Sequence, residues 1–202
     1  YIVFSPYWNV PNAIIENEII PEMVGNSDYI RKHDMEIITY DSPFRNIDPD
    51  EIKWGTIEAH PFPYMIRQRP SATNALGRVK FLFPNNFSIY LHDTPEKSLF
   101  SQSTRSFSHG CIRIEEPLKL AMDLLQNDSA WNEKKITKAM FSGKEKFVRL
   151  HKKVPVFILY LTAWVDDSGT VNFRKDIYGH DEKMENVMFE AEDVYPVEKQ
   201  IN

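Results

Sequence analysis

One cysteine in the chain, Cys111, sits among residues that could make it reactive. The run Ser106-Phe107-Ser108-His109-Gly110-Cys111-Ile112-Arg113 puts one histidine two residues ahead of it. A second histidine, in Tyr90-Leu91-His92-Asp93-Thr94, lies nineteen residues ahead. An unperturbed thiol, with a pKa of about 8.5, is only a few per cent thiolate at neutral pH, so a working nucleophile needs a base or a cation at hand. Histidine is the side chain best matched to that task. Gly110, directly before the sulfur, allows close backbone approach to a substrate and leaves N–H groups to face an oxyanion. A cysteine with two histidines also matches the three protein ligands of a catalytic zinc, and that alternative stays open. A structural zinc wants four ligands, and there is no second cysteine. A lone cysteine is most often a small buried filler; its neighbours tip this one towards nucleophile.

These residues need rigid elements to hold them. Residues 79–83 (VKFLF) and 87–91 (FSIYL) are rich in β-branched and aromatic groups and flank Pro84-Asn85-Asn86, which predicts a β-hairpin with His92 at the end of its second strand. Residues 111–114 (CIRI) read as a short strand. If it pairs with the His92 strand, imidazole and thiol meet, and Arg113 shares the face of Cys111, where it can bind a substrate carboxylate or reinforce a thiolate. Leu118, Ala121, Met122 and Leu125 have helical spacing over 116–126, with Pro117 suited to the first turn. A second helix is predicted from Ser129 to Phe141, stopping at Ser142-Gly143. A weaker one follows Pro11 and runs through Ile14, Ile15 and Ile19 until Pro21 ends it.

Residues 154–165 (VPVFILYLTAWV) are apolar on both alternating faces, which predicts a strand buried on both sides. Asp166-Asp167-Ser168-Gly169 then turns the chain into a second hairpin through Val171 and Phe173. Residues 25–75 differ in texture and read as an insertion or lid, with Asn26-Ser27-Asp28 capping a short helix and residues 35–39 (MEIIT) forming a strand. From Glu182 onward the chain is acidic and poorly periodic, which predicts a tail over 182–202. His33, His60, His151 and His180 read as surface residues. Trp8, Tyr64 and Trp164 could line a glycan groove, although aromatics are more commonly core.

The chain has 202 residues, 42% of them hydrophobic and 26% charged, enough for a sizeable core and unlike a disordered polymer. Lysine and arginine total 24 against 29 acidic residues, a net charge of -5, which argues against nucleic acid as a partner. No apolar run reaches the roughly 20 residues of a spanning helix. A single cysteine allows no internal disulfide. The opening run Tyr1-Ile2-Val3-Phe4 reads like the middle of a strand without an initiator methionine, which implies missing upstream sequence that could carry a signal peptide or membrane anchor. The fold class is mainly β with added helices, α+β.

Ser108-His109-Gly110-Cys111-Ile112-Arg113, with His92 at its interval before it, resembles the signature of the L,D-transpeptidases, the YkuD-type catalytic domains that act on bacterial peptidoglycan. The runs YWNVP (7–11), LGRVKFLFPN (76–85), IYLHDTPEKSLF (89–100) and YLTAWVDDSG (160–169) resemble the large YcbB-like branch. The resemblance implies a sandwich or barrel-like core carrying a lid insertion, with a catalytic domain over 1–181 whose earliest strands are missing. It implies Cys111 as nucleophile and His92 as general base, oriented by the backbone carbonyl of Asp93. Ser108, His109, Gly110 and Arg113 would shape the oxyanion site and hold the donor. The partners implied are donor and acceptor peptidoglycan stem peptides, outside the cytoplasm in the periplasm or cell envelope, with no cofactor and no metal. A carbapenem is expected to acylate Cys111. A carboxypeptidase or amidase using water as acceptor would carry the same residues at the thiol. A wall-binding module with a degenerate site is the non-enzymatic alternative, disfavoured because no motif residue is missing.

Overall fold

The computed structural model describes residues 1–57, 61–107 and 110–189. They fall into two units, Tyr1–Val154 and the chain from Pro155 onward. The first unit opens with β1 (Ile2–Phe4) and β2 (Trp8–Asn9). A helical run follows: α1 (Asn12–Ile14), a π turn (Ile15–Ile19) and α2 (Ile20–Gly25). Next come α3 (Tyr29–Lys32), β3 (Met35–Ile38), β4 (Asn46–Ile47), β5 (Met65–Gln68) and β6 (Val79–Phe81). The site-bearing strands are β7 (Leu91–His92) and β8 (Ile112–Arg113), after which α4 (Pro117–Leu125), α5 (Glu133–Met140) and β9 (Lys146–Val148) complete the unit.

Five strands form one sheet in the order β8-β7-β6-β1-β9. All its pairs are antiparallel except β7 with β8. Ile2 and Phe4 of β1 and Val79 and Phe81 of β6 pack against Ala121 and Leu125 of α4 and Ile136 and Met140 of α5. Val3 is buried as well, so β1 is a fully enclosed strand, as its apolar run predicts. The α+β class read from the sequence is the class observed.

The texture change after Gly25 corresponds to a separate layer. Strands β2, β5, β3 and β4 form a four-stranded sheet in that order, and its core joins Val10, Ile15, Ile19, Ile37, Phe62 and Ile66. The layer thus draws in residues well before 25. Trp8 and Tyr64, candidates for a groove, pack at the edge of this core. The predicted strand over 35–39 is β3, and α3 begins where the Asn26 side chain accepts from the Asp28 amide and the Asn26 carbonyl from Tyr29.

Four expectations need correction. Pro21 does not end the first helix. The Ile20 amide donates to Ile15 through the π register, and Pro21, with no N–H to satisfy, falls in the opening turn of α2. Helix α5 starts four residues later than predicted, because Asn132 caps it by accepting the Lys135 amide. Residues 154–162 are not a doubly buried strand: Phe157 and Leu159 are 80% and 75% exposed. Only β10 (Ala163–Val165) is a strand, paired with β11 (Val171–Phe173) in the predicted hairpin. Apolar groups on both faces select neither face, and Pro155 brings no N–H to a ladder. Last, residues 182–189 belong to a helix, α6 (His180–Phe189), and the remainder of the predicted tail lies outside the described residues.

The junction between β6 and β7 is sterically exacting. Gly77 has φ +60°, and a Cβ there would fall 2.4 Å from the Asp93 carboxylate. That carboxylate is itself pinned by the Arg78 amide at 2.8 Å and by Lys97 Nζ at 2.7 Å. Gly77→Ala should therefore cost about 2 kcal/mol or more from backbone strain plus displacement of Asp93. Urea denaturation should show a clearly lower midpoint, whereas an unchanged midpoint would refute this account.

Candidate active site

Register, more than sequence distance, brings the chemistry together. In the parallel β7–β8 pair, Leu91 lies opposite Ile112 and His92 opposite Arg113, and the Ile112 amide donates to the Tyr90 carbonyl at 3.1 Å. Cys111, immediately ahead of β8, therefore neighbours Tyr90. With side chains alternating along a strand, Tyr90, His92, Cys111 and Arg113 share one face. The predicted pairing of the histidine and cysteine strands is the one observed. Ser108 and His109 lie outside the described residues. Gly110 has φ +125°, a conformation that side-chain-bearing residues rarely adopt, and among the described residues nothing lies within 4 Å of where a Cβ would project.

His92 is buried, and its Nδ1 lies 2.5 Å from the Asp93 carbonyl. A carbonyl only accepts, so Nδ1 carries the proton and Nε2 of the neutral ring keeps its lone pair. The Asp93 carboxylate is engaged elsewhere, on the Arg78 amide and Lys97. Lys97 also reaches the Glu115 carbonyl at 3.0 Å, and the Ile114 amide donates to the His92 carbonyl at 2.8 Å. The ends of the two site strands are thus tied together just beyond the imidazole.

Sequence reasoning missed Tyr90. Its side chain hydrogen-bonds with Cys111 and its ring lies 5.9 Å from that of His92. Burial first, then the neighbouring sulfur, pushes its hydroxyl well above the ordinary tyrosine value, so it stays protonated. Its position two residues before His92 on a strand was the available signal, since i and i+2 share a face.

Two cavities meet at Arg113. One, of about 300 Å³, includes Cys111 and is walled by Leu99, Phe100 and Phe107, with Arg105 and Arg113 as its cations. The other, of about 240 Å³, lies between Trp8, Tyr29 and Met35 of the second layer and Thr94, Glu96 and Arg113 beside the site. Arg113 Nη2 reaches Glu96 at 3.5 Å, while its buried Nε has no hydrogen-bond partner among the described residues. A larger groove of about 850 Å³ runs along α5 and β9, away from Cys111 and His92. The other histidines are peripheral: His33, His151 and His180 are exposed, and His60 lies outside the described residues. Trp164 stands under the Arg174 guanidinium at 4.8 Å.

Residues 1–131 match the family described as YkuD, the L,D-transpeptidase catalytic domain. Over 183 residues, 91% of its length, the chain is 36% identical to a Haemophilus influenzae protein described as "Putative L,D-transpeptidase". It spans 36% of that relative's length.

Burial is the largest influence on His92 and lowers its pKa; the Arg113 charge acts in the same direction, and the Asp93 carbonyl and carboxylate oppose both. The unfolded chain then takes up this proton near the ordinary value of 6.5, while the folded protein resists it until lower pH. The stability tied to a neutral His92 is complete above 6.5 and declines on acidification through the window below it. Wild type should therefore lose urea resistance relative to His92→Gln between about pH 7.5 and about pH 5.5. A gap that stays constant or moves in wild type's favour would show that the imidazole is not held neutral.

Proposed function

The chain belongs to the L,D-transpeptidase catalytic-domain family, and from that premise we propose that it is a cysteine acyltransferase acting on peptidoglycan stem peptides. The observation that carries this reading is the β7–β8 register, which sets a buried, neutral imidazole and a cavity-lining thiol on one face of adjacent strands.

In the proposed reaction, Cys111 Sγ attacks the carbonyl that joins the third stem residue to the terminal D-alanine. His92 Nε2 takes the thiol proton and returns it to the departing amine as the C–N bond breaks, leaving a thioester on Cys111. An acceptor side-chain amine then attacks the thioester, passes its proton to His92 and frees the thiol, making a 3-to-3 cross-link. The thioester retains enough of the amide's free energy for this exchange without ATP, which suits the space outside the cytoplasm where L,D-transpeptidases work. Among the described residues, no helix is long and apolar enough to cross a membrane.

Each neighbour has a part in this scheme. The Asp93 carbonyl fixes the tautomer, so the Asp93 side chain need not act as a third catalytic member. The amides of Gly110 and Cys111, with Ser108 and His109, form the oxyanion and donor site, and Arg113 binds the donor. Tyr90, held protonated, donates to sulfur or to the oxygen that gains charge on attack. The second layer serves as the lid, supported by the cavity it shares with Arg113, and how well it excludes water sets the balance between amine and water as acceptor.

Incubation with tetrapeptide muropeptides followed by mass spectrometry should give cross-linked dimers. Trimmed tripeptides alone would indicate a carboxypeptidase. Cys111→Ala should abolish either product, and His92→Ala should slow turnover by about 100- to 10,000-fold. Product formation by Cys111→Ala at the wild-type rate would eliminate the thioester scheme. A carbapenem should add its mass to wild type and not to Cys111→Ala.

A further inference from the structure

The cavity at Cys111 has a charge pattern that the acyl-transfer scheme leaves unexplained. Its described lining contains two guanidinium groups, Arg105 and Arg113, and no carboxylate. Arg105 is tethered by neutral groups: its Nε donates to the Gln102 carbonyl at 3.0 Å and its Nη2 to the Phe100 carbonyl at 2.6 Å. These bonds fix the guanidinium without neutralising it, and Arg105 makes no ion pair among the described residues. Arg113 is little better compensated. Among the described residues its one carboxylate neighbour, Glu96, is 61% exposed at 3.5 Å, and its buried Nε has no hydrogen-bond partner there. A buried donor left unmatched costs free energy unless a ligand supplies the acceptor. Two guanidinium groups between Leu99, Phe100 and Phe107 match one chemistry well, a carboxylate carried on a short aliphatic chain.

We propose that Arg105, together with Arg113, reads a free carboxylate of the donor stem within one residue of the amide that is cleaved. The proposal rests on the acyltransferase reading above and names what its donor must carry. Such a donor has two carboxylates that could fill the role: the terminal one on D-alanine, and one at the end of the third residue's side chain where that residue bears it. Either reaches the cavity as an anion on an aliphatic arm. Arg105 thereby acts as a specificity residue, favouring stems that keep this charge over stems in which it is amidated.

Three synthetic tetrapeptide donors with a diaminopimelate third residue test this with one acceptor: the unmodified stem, the stem with a terminal carboxamide, and the stem with the third-residue side chain amidated. Wild type should show roughly tenfold or greater loss of kcat/KM on one of the two amides, which identifies the carboxylate read. Arg105→Gln should show a similar loss on the unmodified stem, no further loss on that amide, and partial recovery in Arg105→Lys. Equal kcat/KM of wild type on all three donors, or a wild-type value for Arg105→Gln, would overturn the proposal. So would a uniform loss by Arg105→Gln on all three. Calorimetric binding of the same donors to Cys111→Ala separates this proposal from the reaction it rests on. Charge-selective binding that weakens in the double variant C111A/R105Q, without turnover by wild type, supports the subsite and sinks the acyltransferase reading; turnover that ignores both amides does the reverse.

Discussion

The parallel pairing of two very short strands, β7 and β8, is the constraint on which the site depends. Two residues on each side give few ladder bonds, so the pairing cannot hold itself. It is held from beyond the strand ends. The Asp93 amide donates to Val79 in β6, the Asp93 carboxylate takes the Arg78 amide and Lys97, and Lys97 continues to the Glu115 carbonyl past the end of β8. One residue, Asp93, thus joins three strand ends with its side chain and amide while its carbonyl orients His92. Gly77 is required because no Cβ fits against that carboxylate.

This arrangement explains why an aspartate directly after the histidine does not behave as its position in sequence suggests. A His-Asp pair invites a triad reading, but adjacent residues on a strand project to opposite faces. The carboxylate therefore points into the loop packing, and the backbone carbonyl, free of that alternation, reaches Nδ1. The resemblance to L,D-transpeptidases anticipated this contact; periodicity alone could not have done so.

Legibility in the sequence followed the strength of local signals. Helix α4 was readable because Pro117 and four apolar residues at helical spacing agree, and the β10–β11 hairpin because Asp166 and Gly169 define its turn. The run 154–162 misled because apolar residues on both faces carry no information about a partner. The helix through Pro21 misled because a π register is invisible in composition. The candidate site was legible at Cys111 and His92, whose residue types are unusual in any context and which the β7–β8 pairing brings together. Tyr90, Arg105 and Lys97 were not, since each is an ordinary residue type whose meaning comes from register or tethering.

The electrostatics of the site follow from burial acting on acids and bases in opposite senses. Burial drives the imidazole towards its neutral form and the Tyr90 hydroxyl towards its protonated form, so both groups prefer to be uncharged. Fixed positive charge in the described cavity then resides on Arg105 and Arg113. A negative substrate entering such a site meets two guanidinium groups, while the groups proposed to move protons start neutral and gain charge only during reaction. In the proposed scheme binding and proton transfer thereby fall to different side chains: the two arginines meet the anion, and the imidazole, held by the Asp93 carbonyl, moves the proton.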